Sequence, residues 1–413
     1  MALILNSYFK ILNNFLFYLI CLLPAALLTG SFFPDLIISL CSLTFLFILI
    51  IRKKNYFRNY FFYLFLIFWL ILVTSSLLSK NPFFSLETSI FYIRFFIFSL
   101  SIYYLLIERL FNFKIFTNFL LFIILLLIFD SHFQYFSGYN ILGFKLESPL
   151  RVSSFFRDEL KMGSFLFRIF PILLILLIFL NNKKLYLFLI PAVFSSIILS
   201  GERTSIILSI IFFLVVVILK IKFKEKILII SSLFLVLIIQ FSFNDSFKYN
   251  FTERMNKEFV FGKLDNPTKE LEKKFRFKFF TNLHTEMYNT SYEMFLDKKF
   301  LGHGPKMYRI ICKEYDIKTC STHPHSFVIQ LLAETGIVGF LFYLAFFVFV
   351  IKDFFYFFLF KSINSNYVII LSLLIIINLF PLAPSGNFFN NWLNCIMYLP
   401  LGFYFFFRKR INV

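Results

Sequence analysis

The stretch STHPHSFVIQLLAETGIVG, residues 321–339, concentrates polar chemistry in a chain that is otherwise mostly apolar. His323 and His325 flank Pro324, directly before a helix-like run that carries Glu334, Gly336 and Gly339. A neutral imidazole accepts a proton near neutral pH, so these histidines suit a general base. Pro324 fits the first turn of a helix, where its missing N–H is harmless. That helix is then expected to start near His325 and Ser326. Its unpaired N–H groups attract anions such as pyrophosphate and disfavour a cationic histidine. Glu334 lies nine residues past His325, half a helical turn out of phase, and is not expected to be its partner. Gly336 and Gly339 are expected to let another helix or a lipid chain approach closely. No third and fourth ligand lies at a metal-site spacing from the two histidines, so no metal and no other cofactor is expected. The plainer alternative, interfacial histidines that merely cap a helix, stays open at this point.

A second polar group lies in LSGERTSII, which places Gly201, Glu202 and Arg203 in a tight turn between two apolar runs. The planar guanidinium of Arg203 suits forked hydrogen bonds to a phosphate; the alternative is a local pair with Glu202. Arg151, Arg157, Asp158 and Glu159 crowd the segment RVSSFFRDELKMGS. Arg94, Asp130, Arg168 and Glu334 lie within or at the ends of apolar runs. Charge in a bilayer is costly, so each is a functional candidate, with snorkelling or a structural ion pair as the alternative. Taken together they converge on one side of the chain, as a cleft open to one leaflet requires.

The elements that must position these groups are membrane helices. Of 413 residues, 60% are hydrophobic, 69 are phenylalanine, and 15% are charged. A soluble domain of this length cannot hide that much apolar surface. Twelve apolar runs lie near 11–30, 34–51, 60–78, 88–107, 115–131, 162–180, 185–200, 204–219, 227–243, 327–351, 367–383 and 389–407. The fold class expected is all-α: a polytopic membrane protein of about 12 transmembrane helices with one large periplasmic loop. Every second connection is basic, among them RKKNYFR at 52–58, ERLFNFK at 108–114, the stretch from Lys352 to Lys361, and RKR at 408–410. This alternation places both termini in the cytoplasm. The net charge of +19 therefore points to anionic membrane lipids as partners, and not to nucleic acid. No cleavable signal peptide is evident.

Two long segments fall on the outer side, 131–161 and 244–325. The chain divides accordingly into helices one to nine over 1–243, a loop subdomain over 244–325, and the last three helices over 326–413. Within the large loop, Met287, Ser291, Met294 and Phe295 share one helical face. A short amphipathic helix lying on the membrane's outer surface is expected there. Cys21, Cys41 and Cys395 read as small apolar residues inside spans. Cys312 and Cys320 have seven residues between them. A periplasmic loop permits a disulfide there, which would cinch the segment before His325; the alternative is two free thiols.

One ordered set of motifs is familiar. His325 followed by Ser326, nine residues to Thr335, then Gly336 and Gly339, resembles the signature of lipopolysaccharide O-antigen ligases. GERTS at 201–205 resembles the arginine-bearing outer turn of the same superfamily. RVSSFFRDELKMGSFL, 151–166, resembles a segment of related O-antigen polymerases, and FLGHGPKMYR, 300–309, the Gly-rich turn of both. The resemblance covers most of the chain and is strongest from about 130 to 340. It implies a GT-C-like bacterial inner-membrane glycosyltransferase, independent of metal, with its active site facing the periplasm. The donor would be a glycan on undecaprenyl pyrophosphate, and the acceptor a sugar hydroxyl on lipid A core. By the same resemblance, His325 would activate the hydroxyl and Arg203 would bind the pyrophosphate. A second arginine is implied in the large loop, with Arg254 first in line before Arg276 and Arg309, and Arg151 as a further outer candidate. Glu202, His323, Ser326, Arg309, Gly336 and Gly339 would support the site. An O-antigen polymerase, which joins lipid-linked repeat units, shares donor and fold. A lipid-linked glycan transporter is a third possibility, but transporters place polar groups near the bilayer midplane.

Overall fold

The structure is a computed structural model that describes residues 2–54, 56–57, 60–146, 151–218, 222–254, 282–315, 320–359, 365–381 and 385–411. A described helix overlaps each of the twelve apolar runs. They correspond to α1 (Ala2–Ala26), α2 (Phe32–Arg52), α3 (Tyr60–Leu77), α4 (Pro82–Phe91) with α5 (Ile93–Ile107), and α6 (Phe113–Ser137). After these come α7 (Met162–Phe179), α8 (Lys183–Leu199), α9 (Arg203–Ile218) and α10 (Phe223–Phe243). The short α11 (Asp245–Tyr249), α12 (Asn282–Asp297) and α13 (Tyr308–Ile311) belong to the large loop. The chain ends with α14 (Phe327–Leu359), α15 (Ser365–Asn378) and α16 (Asn391–Ile411). Eight helices among the described residues are long and apolar enough to cross a membrane, and three apolar helices are shorter. The protein is a multi-pass, all-helical membrane protein.

α7 is central: nearly all its side chains from Met162 to Leu177 are buried. α10 is peripheral, with only Ile229 and Gln240 buried along it. An all-round apolar helix with outward-facing Phe and Ile is what lipid contact demands. Aromatic rings fill much of the space between helices, as where Phe65 stacks on Phe96 at 4.5 Å and Phe327 meets Phe388 edge-on at 5.3 Å.

Polar residues inside this frame are mostly paired. Asp35 accepts from Arg94 Nε at 3.1 Å and from Asn391 Nδ2 at 3.3 Å. Asp353 accepts from Tyr404 Oη and Arg408 Nε, both at 2.5 Å. Asp130 accepts from the Ile141 N–H at 2.8 Å and from Ser154 Oγ. Such partners offset the desolvation of a buried charge. For Arg94 and Asp130 the structural reading therefore holds. Glu108 joins two of the basic connections through Arg52 and Lys54, both at 2.9 Å. At the opposite end Lys80 pairs with Glu314 of the large loop at 2.6 Å.

α14 departs most from expectation. It was read as one regular span over 327–351, yet it runs to Leu359 and is broken at Gly336, with φ 64° and ψ −169°. Lys352 therefore lies in the helix and not in a connection. The FLGHG loop plugs the break. The N–H groups of His303 and Gly304 donate to the carbonyls of Ala333 (3.0 Å) and Glu334 (2.8 Å). Beyond the break, the N–H groups of Ile337 and Val338 donate to Lys299 O (2.8 Å) and Phe300 O (3.3 Å). Ser75 Oγ from α3 adds hydrogen bonds to Leu301 O at 2.5 Å and Glu334 O at 3.0 Å. A helix break in an apolar setting is stable only if its freed backbone groups find such partners. The glycines follow from this. A Cβ on Gly336 would stand 2.2 Å from Phe300 O, and one on Gly302 would stand 2.4 Å from Glu334 C. The close approach is that of a loop, not of a second helix or a lipid. Gly339 answers a different need, since a Cβ there would stand 2.2 Å from Thr335 Oγ1.

α12 is the expected amphipathic helix, but protein covers its apolar face. Met287, Ser291 and Met294 are buried, and α12 packs against α14.

Candidate functional site

Two polar groups form on the side of the large loop. The first is the histidine loop. The helix after it starts at Phe327 rather than at His325. Pro324 therefore lies outside the first turn, and Ser326 precedes the helix, with its carbonyl accepting from the Gln330 N–H at 2.9 Å. His325 has φ 58°. A non-glycine residue in the left-handed region is held there only by its surroundings, and such strain gathers at functional sites. Here the Ser385 N–H fixes the His325 carbonyl at 2.9 Å. Asn387 Nδ2 reaches Thr322 O at 3.4 Å. Gln330 joins the frame by donating to Asn387 Oδ1 (3.0 Å) and Glu334 Oε2 (2.9 Å). Its own Oε1 accepts from the Phe388 N–H at 2.9 Å. Glu334 takes the Tyr308 N–H at 2.9 Å on its other oxygen. Its bonds thus turn it to Tyr308 and Gln330.

The Cys312–Cys320 disulfide is present, with Cα atoms 5.7 Å apart. It closes the segment that leads into the histidines. The His323 and His325 rings lie 4.1 Å apart between centroids, and His284 of α12 meets His325 edge-on at 5.7 Å. The three imidazoles do not make a metal-ligand arrangement. Burial pushes the His325 imidazole below its ordinary value, and His284 adds to this while the Ser385 backbone opposes it. Burial also lowers His323, to about 4, with His325 and Arg309 adding to the shift. Both rings are therefore neutral at neutral pH, and His325 is in the form that accepts a proton. Arg309 of α13 carries a buried Nε without a hydrogen-bond partner among the described residues.

The second group lies at the 201–203 turn. Glu202 Oε1 accepts from the Ser164 N–H at 3.1 Å, in the first turn of α7, and Oε2 accepts from Ser205 Oγ at 3.1 Å. A carboxylate at a helix N-terminus satisfies an orphan donor and complements the dipole. Gly163 permits the approach, because a Cβ there would stand 2.2 Å from Ser200 Oγ. Arg151 Nε donates to Ser200 O at 3.2 Å and its Nη2 to Leu160 O at 3.0 Å. Burial raises the Glu202 carboxyl above its ordinary range, against the pull of Ser164, Arg151 and Arg168. Arg203 is the first residue of α9, with its Nη1 buried. The turn and the 151–166 segment, far apart in sequence, are thus one unit.

Residues 385–392 lie between the two groups. At one end Ser385 and Asn387 hold the histidine loop. At the other Trp392 meets Phe156 at 6.2 Å, with Lys161 Nζ 4.2 Å above its indole ring. Arg254 ends a short π-helical turn, Asn250–Arg254; its side chain, like all of Arg276, lies outside the described residues. Sequence reasoning missed His284, Gln330, Ser385 and Asn387. Only Gln330, a polar residue within an apolar run, carried a local signal.

Fold and site together define a multi-pass helical membrane protein with a strained, half-buried histidine loop and an arginine-bearing turn. Residues 187–344, which include both that turn and that loop, match the family model described as O-antigen ligase, Wzy_C. The family includes O-antigen ligases and polymerases, enzymes with lipid-linked glycan substrates. No curated protein matches the chain.

Proposed function

We propose that this protein is an O-antigen ligase, transferring a glycan from undecaprenyl pyrophosphate to a sugar hydroxyl of lipid A core. The observation that carries this reading is His325, neutral, half-buried and held at φ 58° by a surrounding hydrogen-bonded frame. His325 takes the proton of the acceptor hydroxyl as its oxygen attacks the anomeric carbon. The bond to the pyrophosphate breaks, and the leaving group departs with the electron pair. Arg203 receives its developing charge, with Arg254 or Arg151 as the second cation, since such donors stabilise a departing phosphate without a metal. The reaction takes place at the periplasmic face, and both termini are cytoplasmic.

A second reading, an O-antigen polymerase, draws on the union of the polymerase-like 151–166 segment with the 201–203 turn through Ser164 and Glu202. The deciding experiment is a reconstituted transfer assay with defined lipid-linked donor, with and without lipid A-core acceptor, under chelator. Product on lipid A core, lost in His325→Ala, supports the ligase. Longer glycans on the carrier without added acceptor favour the polymerase. No transfer from folded protein in any lane rejects both and returns weight to transport.

A further inference from the structure

His284 is a lone histidine near the start of α12, 41 positions before His325, and nothing in its local sequence marks it. The fold nevertheless brings its ring edge-to-face against His325, at 5.7 Å and 86°. This is not a chance approach of a mobile side chain. Met287, Ser291 and Met294 lock α12 onto the protein, and Ser321 Oγ of the histidine loop contacts Met287 Sδ at 3.9 Å. One rigid element therefore fixes both the loop and the ring that faces it. Rings with a polar edge and a negative face prefer this perpendicular geometry.

We infer that His284 is a positioning residue for His325, holding its ring edge-to-face and in the neutral form that takes the acceptor's proton. This rests on the proton-accepting role proposed above. The proton leaves the acceptor hydroxyl, resides on His325, and returns to solvent or leaving group after the glycosidic bond has formed. Other groups that face His325 are His323 on its own loop and the Ser385 backbone. Tyr288 lies beside His284 at 6.1 Å, and Arg309 of α13 acts on His323.

The test compares wild type with His284→Phe, which keeps the ring and removes its nitrogens. His284→Gln is a second variant should Phe impair folding. Two readouts are taken. Diethylpyrocarbonate labelling of His325 against pH, followed by peptide mass spectrometry, needs no substrate. Glycan transfer then gives kcat and KM for the donor. The expected result is a labelling midpoint that rises toward the ordinary imidazole value, with kcat down about tenfold and donor KM unchanged. An unchanged midpoint with unchanged kcat would overturn the inference and leave His284 as packing. A moved midpoint with unchanged kcat, or a loss confined to KM, would overturn it as well. If wild type transfers no glycan, the proposed function fails, while an unmoved labelling midpoint still refutes the ring coupling by itself.

Discussion

The turn at 201–203 and the loop at 321–326 are both polar, both half-buried and both at the same end of the molecule, but they are built in opposite ways. At the turn, both Glu202 oxygens are satisfied and Arg151 spans to two carbonyls. In the loop, the hydrogen bonds go to the backbone and the frame, while the imidazoles mainly face one another. A cluster whose carboxylate is hydrogen-bonded on both oxygens orients; a cluster with strained backbone and neutral, closely spaced rings is ready to change its charge. The difference fits the proposed division, with binding and orientation at the turn and proton chemistry in the loop.

The largest effect expected from this division is on turnover. His325→Ala lowers kcat about a thousandfold, the scale of a lost general base, with the thermal unfolding midpoint in detergent near wild type. The acidic limb of wild-type kcat separates the regions further. His325 is shifted downward, so its neutral form survives as pH falls below the usual 6.5 or so, and activity is lost only through the lowered value. A limb at or above about 6.5 would contradict that assignment.

Next in size is Gly336→Ala. Its Cβ meets backbone at a positive φ, which costs about 3 kcal/mol or more and is read by thermal unfolding. Arg203→Lys comes third. If forked phosphate recognition is its role, Lys loses about tenfold in kcat/KM, nearly as much as Ala. Near-normal turnover with Lys would remove that role from the turn. The smallest effect is Gly163→Ala, at about 1 kcal/mol. There the obstructing atom is Ser200 Oγ, a side chain with room to rotate. Equal losses at Gly163 and Gly336 would erase the contrast between the two regions.

Much of this was legible in the sequence because it depends on local pattern. Apolar runs become helices wherever they occur, and the histidine motif, the GERTS turn, the Cys312–Cys320 pair and the Met287 face are each set by residues close in the chain. The rest depends on what arrives from afar. The pair Gly336 and Gly339 reads as a packing motif until the 299–304 loop is seen entering the break. His284 gains meaning only when α12 docks against α14. Arg94 and Asp130 stand out as costly charges in a string of letters, and their partners Asp35, Ser154 and the Ile141 N–H are found only in three dimensions.

The break in α14 also sets a height. The helix from Phe327 to Leu359 has 33 residues, roughly 50 Å if straight, far more than a hydrocarbon layer of about 30 Å. The part after Gly336 alone is roughly 35 Å long and suffices to cross. The half-helix before the break, about 13 Å, is then free to stand clear of the acyl chains like a post on a deck. On the proposed function, the histidine at the top of that post meets sugars and phosphates rather than oil, and the glycine beneath it decides how far above the lipid the two substrates must come together.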